Sequence, residues 1–329
     1  MFNKPQFRKR STLIAAVLTT CLTAGASFSA SAMDSVHFLI PGGAGGGWDG
    51  TARGTGEALS KSGLVDTVSY ENMSGGGGGK AIAHLIETAA QKKDTLMVNS
   101  TPIVIRSLSK VFPQSFRDLT PIAATIGDFG AFVVKKDSPY TTFEQVVADY
   151  RENPRKVKIS GGSARGSMDH LVAAMAFKAA GGNPRQVRYV AYDAGGEAMA
   201  GLLSGETELL STGFSEALTL AEAGEVRILV MTGNNRSDAA PEVPTLKELG
   251  YDAAFVNWRG FFAAPGVSDA EKAEYVDVLK KMYATDEWES VRSRNGWTEI
   301  FKPDAEFVSF LEQQETEVGA LMRELGFLK

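Results

Sequence analysis

Short apolar runs and amphipathic stretches alternate along the chain. Residues 36–40 form an apolar run closed by Pro41 and a glycine-rich loop, which predicts a strand and then a helix to about residue 60, with Asp49 as N-cap. A strand over 65–70, a helix opened by the glycine run at 74–79, a strand over 95–98 and a short helix begun by Pro102 complete a βαβαβ start. The theme returns with strands over 157–159, 187–192, 207–210 and 226–231 and helices between them. The helix after the loop at 161–166 carries Leu171, Val172, Met175, Ala176 and Ala179 at the spacing of a buried face. The last helix carries a similar stripe from Phe307 through Phe310, Leu311, Val318, Leu321 and Met322 to Leu325. Alternation this dense predicts an α/β protein whose parallel sheets are covered by helices.

Two stretches, 130–136 and 255–264, are extended and apolar, and each is followed by a Pro-containing turn and a helix. Read as strands that cross between lobes, they give lobe 1 over 33–132 and 257–329 and lobe 2 over 133–256. Two such connections make a hinge with a cleft between the lobes. Two domains in simple succession is the competing arrangement.

Composition narrows the setting. A chain of 329 residues exceeds what one core usually organises, and 43% hydrophobic with 22% charged residues is a globular balance. Residues 1–32 read as a signal peptide, with cations at Lys4, Arg8, Lys9 and Arg10, an apolar stretch over 13–22, and Ala30-Ser31-Ala32 before Met33. The stretch is too short, and too interrupted by Thr19, Thr20 and Thr23, for a membrane anchor. Thr20 ahead of Cys21 argues against a lipid anchor, so a soluble periplasmic protein is expected. The net charge is −5, and loss of those four cations leaves 30 Lys and Arg against 39 Asp and Glu. So acidic a surface is a poor match to nucleic acid or an anionic bilayer. The one cysteine lies in the leader, which excludes disulfides and Cys-ligated metals from the mature chain.

Three glycine loops carry the candidate chemistry. Gly45-Gly46-Gly47-Trp48-Asp49-Gly50 fits a dinucleotide fingerprint, with Glu71 at the end of the next strand, and leaves an NAD(P)-dependent oxidoreductase as an alternative. Six glycines between Gly42 and Gly50 make a long mouth rather than a tight turn, and export removes the chain from the cytosolic NAD pool. The run ending in Lys80 lacks a phosphate loop's first glycine, where Ser74 stands, and its Ser or Thr, where Ala81 stands. Gly162-Ser163-Ala164-Arg165-Gly166 is one residue out of step for a nucleophile elbow. His37, His84 and His170 lie far apart, without metal-ligand spacing. What the loops share is exposed backbone N–H groups at strand ends, each ahead of a helix N-terminus, which seats an anion without a cationic side chain. For the run at 74–79, close packing alone is an equal reading.

The order of these motifs resembles one family, the periplasmic substrate-binding proteins of tripartite tricarboxylate transporters, also called Bug receptors. The marks are Pro41-Gly42-Gly43 through Gly47-Trp48-Asp49, the run from Met73 to Gly79, Gly166-Ser167, Arg188-Tyr189-Val190-Ala191-Tyr192 with Gly195-Gly196-Glu197, Val243-Pro244-Thr245, Arg259-Gly260-Phe261 and Leu325-Gly326-Phe327. They span essentially the whole mature chain. The stretches 192–197 and 258–262 look closest to the citrate-type branch. The resemblance implies a type II periplasmic-binding-protein fold and no enzymatic activity. It also implies a small carboxylate held between the lobes and delivery to integral membrane transporter subunits, one large and one small. A monomer without cofactor is expected. The expected ligand contacts are Gly43, Gly45, Gly46 and Gly47 with Trp48 and Asp49; Ser100 and Thr101; Ser163, Arg165, Gly166 and Ser167; and Tyr192, Thr212, Ser215 and Arg259. In this reading Asp49 caps or fixes its loop, and Arg165 forms a bidentate carboxylate pair. A carboxylate-sensing module with a signalling partner is a further alternative.

Overall fold

The computed structural model describes residues 1–2 and 33–329, so the leader, from residue 3 to residue 32, lies outside the described residues. The elements run β1 (Met33–Ile40), α1 (Gly47–Lys61), β2 (Val65–Asn72), α2 (Gly79–Glu87), β3 (Thr95–Ser100), α3 (Thr101–Leu108), β4 (Thr120–Lys135) and α4 (Phe143–Glu152). There follow β5 (Lys158–Gly161), α5 (Met168–Ala179), β6 (Arg188–Ala191), α6 (Gly195–Leu203), β7 (Leu209–Gly213), α7 (Phe214–Glu222) and β8 (Val226–Met231). The chain closes with β9 (Val256–Ala263), α8 (Asp269–Tyr283), α9 (Asp286–Arg294), β10 (Thr298–Pro303) and α10 (Ala305–Leu325). Among the described residues no helix is long and apolar enough to cross a membrane.

The strand order is β2-β1-β3-β9-β4-β7-β5-β6, with β8 and β10 also paired to β4. Pairing is parallel where the alternation predicts it, between β1 and its neighbours β2 and β3, and between β5 and its neighbours β6 and β7. The centre corrects the expectation of purely parallel sheets, because β4 is antiparallel to β7, β8, β9 and β10. The cause is one 16-residue strand that serves both halves of the sheet. Its first part pairs with β9 from Thr120↔Ala263 to Phe129↔Val256, and from Gly130 it pairs with β7 and β8. Pro121, Gly127 and Asp128 interrupt the hydrophobic pattern of that first part, which is why only its second part reads as a strand in the sequence.

The return passage runs beside this one. Thr232 Oγ1 accepts from the Gly130 N–H at 2.7 Å and donates to the Phe255 carbonyl at 2.6 Å, tying the two crossings together. Apolar residues pack on both sides. Phe38, Ile40, Val98, Phe261 and Trp288 share one buried cluster, and Ala131, Val133, Leu210 and Phe214 another. The predicted stripe on α10 buries Phe307, Leu311, Val318, Met322 and Leu325 in a third. Each such large side chain contributes about 1.5–3 kcal/mol of burial. The carboxyl ends of β1, β3, β5, β6 and β7 lead into the loops and helix starts that line one cavity.

Candidate functional site

The cavity holds about 60 Å³, small against the ~300 Å³ or more of an open ligand pocket. Its walls come from both halves of the sheet. Gly42, Gly43, Gly46, Gly47 and Trp48 follow β1, Ser100 and Pro102 lie at the β3–α3 junction, and Asn257 and Arg259 stand on β9. From the other half come Gly162 and Ser163 after β5, Met168 and Asp169 on α5, Asp193 to Gly195 after β6, and Glu216 on α7. The loops after β1 and β6 touch. A side chain on Gly43 would begin 3.0 Å from the Ala194 Cβ, and one on Gly46 3.4 Å from the Gly195 nitrogen.

Of the residues expected from sequence, Gly43, Gly46, Gly47, Trp48, Ser100, Ser163 and Arg259 line the cavity. The Trp48 Nε1 donates to Ser100 Oγ at 2.8 Å, which orients both. The remaining expected residues stand behind the wall or away from it. Asp49 is not the N-cap, a place taken by Gly46; it is the third residue of α1. Its carboxylate accepts from the Gly45 N–H at 3.0 Å, Asn72 Nδ2 at 3.0 Å and Arg53 Nε at 2.9 Å, so it fixes the loop. That bond also uses a backbone donor a dinucleotide pyrophosphate would need, and Glu71 is engaged with His37 Nε2 at 3.4 Å. The Thr101 N–H donates to Asn257 Oδ1, and its buried hydroxyl has no partner. Arg165 is exposed and donates to the Tyr189 carbonyl at 2.6 Å. Gly166 donates its N–H to His170 Nδ1, and Ser167 is the N-cap of α5 without a side-chain cap bond. Tyr192 donates its hydroxyl to Glu206 at 2.7 Å. Thr212 donates to Glu216, and Ser215 donates through N–H and Oγ to Asp128.

The cation inside the site is Arg259. It is 2% exposed, pairs with Asp128 at 2.9 Å and Glu216 at 3.5 Å, and donates to Thr51 Oγ1 at 3.1 Å. Gly47 is glycine because Arg259 needs the room: a Cβ there would overlap the guanidinium and come within 2.5 Å of Glu216 Oε1. A Cβ on Gly195 would overlap the other Glu216 oxygen. The Glu216 carboxylate therefore reaches the first residues of both α1 and α6. Two helix N-termini meet there, one from each half of the sheet, where dipoles favour negative charge.

Acid is plentiful around that point. Burial, with Glu216 nearby, pushes Asp169 up to about 7. Burial raises Glu216 as well, against the pull of Arg259 and the Thr212 hydroxyl. Burial and the Arg165 charge hold His170 down at about 4. The lining residues not expected from sequence are Gly42, Pro102, Gly162, Met168, Asp169, the segment 193–195, Glu216 and Asn257, and Asp128 stands behind the wall against Arg259. Gly195 was visible as part of a motif, but an isolated Asp or Glu mid-chain gives no sign of which strand end it will face. Among the described residues no group of three or more His, Cys, Asp and Glu is arranged to hold a metal ion.

The profile of the tripartite tricarboxylate transporter family receptor, TctC, matches residues 51–327. A curated relative, the UPF0065 protein in the tcbD-tcbE intergenic region of Pseudomonas sp. strain P51, is 28% identical over 257 residues, 77% of this chain and 75% of its own length. The solved structure of periplasmic binding protein BugD superposes with a TM-score of 0.79 at 20% identity, covering 89% of this chain and 98% of that one. The Rhodopseudomonas palustris protein Rpa4515 with adipate superposes with a TM-score of 0.78 at 20% identity, covering 89% and 97%. The fold is thus the two-lobed α/β fold of periplasmic binding proteins.

Proposed function

Because the chain belongs to the tripartite tricarboxylate transporter receptor family, a family of receptors and not of enzymes, we propose that it is a periplasmic receptor for a small organic di- or tricarboxylate, citrate-like in kind. The observation that carries this reading is the meeting of the α1 and α6 N-termini, from opposite halves of the sheet, at a buried arginine. A ligand carboxylate there gains backbone donors from both lobes, and the gain depends on closure. The adipate held by the Rhodopseudomonas palustris neighbour supports a dicarboxylate of similar size. The lobes are 33–132 with 257–329, and 133–256; the crossings at Gly130 and Phe255, tied through Thr232, are the hinge. Residues 1–32 direct export, and the loaded receptor, a monomer, hands its ligand to integral membrane transporter subunits.

Titration calorimetry of ligand-free protein against citrate, malate, adipate and acetate, with NAD as control, tests this. Saturable binding of at least one di- or tricarboxylate without turnover is expected, with a gain in unfolding free energy of about 2.7 kcal/mol at 100 times Kd. Binding of NAD with no response to any carboxylate would overturn it.

A further inference from the structure

The glycine run between β2 and α2 takes no part in the cavity wall, yet its surroundings are unusual. Gly75, Gly76, Gly77 and Gly78 all hold positive φ, between +61° and +139°, a path closed to ordinary side chains. They lead into α2, which has no side-chain cap and no acid in its first turn. Lys80 stands in that turn instead, a cation at the positive end of a helix.

A second cation converges on the same loop. Arg106 lies one turn along α3 from the cavity-lining Pro102, on the same face. Its Nε is 3.0 Å, and its Cζ 3.3 Å, from where a side chain on Gly77 would begin. Arg106 is 8% exposed, and its Nε is buried with no hydrogen-bond partner. No carboxylate among the described residues pairs with it. Burial pulls its pKa below the ordinary value. At the other end of the run, Ser74 Oγ is also buried without a partner, beside Gly43 of the cavity wall. Trp48 touches both places, lining the cavity while its ring edge lies 3.5 Å from where a Gly78 side chain would begin. A buried arginine with a partnerless Nε and no carboxylate beside it is costly, and positive charge gathered at a helix N-terminus adds to that cost. An oxyanion would relieve both.

We propose that Arg106, Ser74 and the N-terminus of α2 form a second oxyanion subsite behind Trp48, which takes the far carboxylate of a ligand whose first carboxylate lies between α1 and α6. This assignment rests on the carboxylate-receptor reading above. Its consequence is selection by charge number: the inner seat receives one carboxylate beside a shared arginine, and the outer seat rewards a second.

The test compares wild type with Arg106→Met, which keeps the apolar stem and removes the charge, by calorimetry against acetate, adipate, citrate and inorganic sulfate, with melting curves of the ligand-free forms. The expected result is a loss of about tenfold or more for adipate and citrate, unchanged acetate binding, and a ligand-free melting temperature no lower than wild type. Sulfate should compete with adipate but not with acetate. Equal losses for all carboxylates with a lowered melting temperature would make Arg106 a structural residue and overturn the subsite, as would no change for any. Sulfate binding that depends on Arg106 but leaves adipate unaffected would overturn the ligand assignment in favour of a free anion. If wild type binds no carboxylate, the receptor reading falls by itself; Arg106-dependent sulfate binding would then still support an oxyanion site, and its absence would remove that too.

Discussion

Arg259 donates to Asp128 at 2.9 Å with neither side chain more than 2% exposed, and Asp128 in turn accepts from the backbone and hydroxyl of Ser215. The pair joins β9, β4 and the start of α7 at the point where the two halves of the sheet meet. The charge on Arg259 is already shared between Asp128 and Glu216, so the carboxylate of the proposed ligand would meet a polarised, fixed donor rather than a free cation.

Removing Arg259 should therefore be costly before any ligand is considered. Arg259→Met strands the buried Asp128, and a loss of about 3–5 kcal/mol is expected in urea unfolding. Adding Asp128→Asn should restore most of it, because the stranded charge goes. A double variant no more stable than the single one would mean that packing around the guanidinium, not charge pairing, holds this junction.

The pH response is a difference of opposites. Asp169, raised to about 7, binds its proton more tightly in the folded chain, so its contribution is full below about 4 and is lost as pH rises to about 7. His170, held near 4, does the reverse: its contribution is full above about 6.5 and is lost as pH falls through 4. The two nearly cancel between pH 4 and 6.5. The stability of Asp169→Asn minus wild type should climb across pH 4 to 7, by up to about 1.4 kcal/mol per pH step. That of His170→Gln minus wild type should fall across pH 4 to 6.5. Urea midpoints at three pH values check both slopes, and parallel curves for all three proteins would contradict the assignment.

Two glycines in α1 separate close approach from mere flexibility. Gly50 has nothing within 4 Å of an added Cβ and does not hold a positive φ, so Gly50→Ala should stabilise by about 0.5–1 kcal/mol. Gly47→Ala drives a methyl into Arg259 and Glu216, and should destabilise by about 1–3 kcal/mol and weaken carboxylate binding. Melting curves of the two variants should shift in opposite directions.

How much of this was legible follows from which signals are local. The strands of β1, β3 and β8 and the buried stripes of α5 and α10 show in the hydrophobic pattern because a core face imposes its own period. The glycine loops show because close approaches such as Gly47 to Arg259 and Gly43 to Ala194 need small residues. The antiparallel role of β4 is hidden, since partner direction leaves no mark on a single strand. Glu216 and Asp128 are hidden for the same reason: each earns its place through residues more than 80 positions away, Gly47 in one case and Arg259 in the other. Arg165 misleads because a cation beside a glycine loop looks like a ligand contact until its direction is known.

That direction yields the final prediction. Arg165 is exposed and spends its guanidinium on the Tyr189 carbonyl, at the edge of β6 rather than in the cavity. Its replacement removes one part-buried hydrogen bond, and Arg165→Ala should leave affinity for di- and tricarboxylates within about twofold and stability within about 1.5 kcal/mol. One change is expected nearby. Arg165 is a positive charge that helps hold His170 down, so the imidazole of the variant should titrate above about 4, with burial still keeping it below its ordinary value. Following the His170 ring protons by NMR against pH reads that directly, in the same sample used for calorimetry. A large loss of tricarboxylate binding in Arg165→Ala, with His170 unmoved, would show that this side chain swings into the cleft when ligand enters, and the charge-reading role would pass from Arg106 to Arg165.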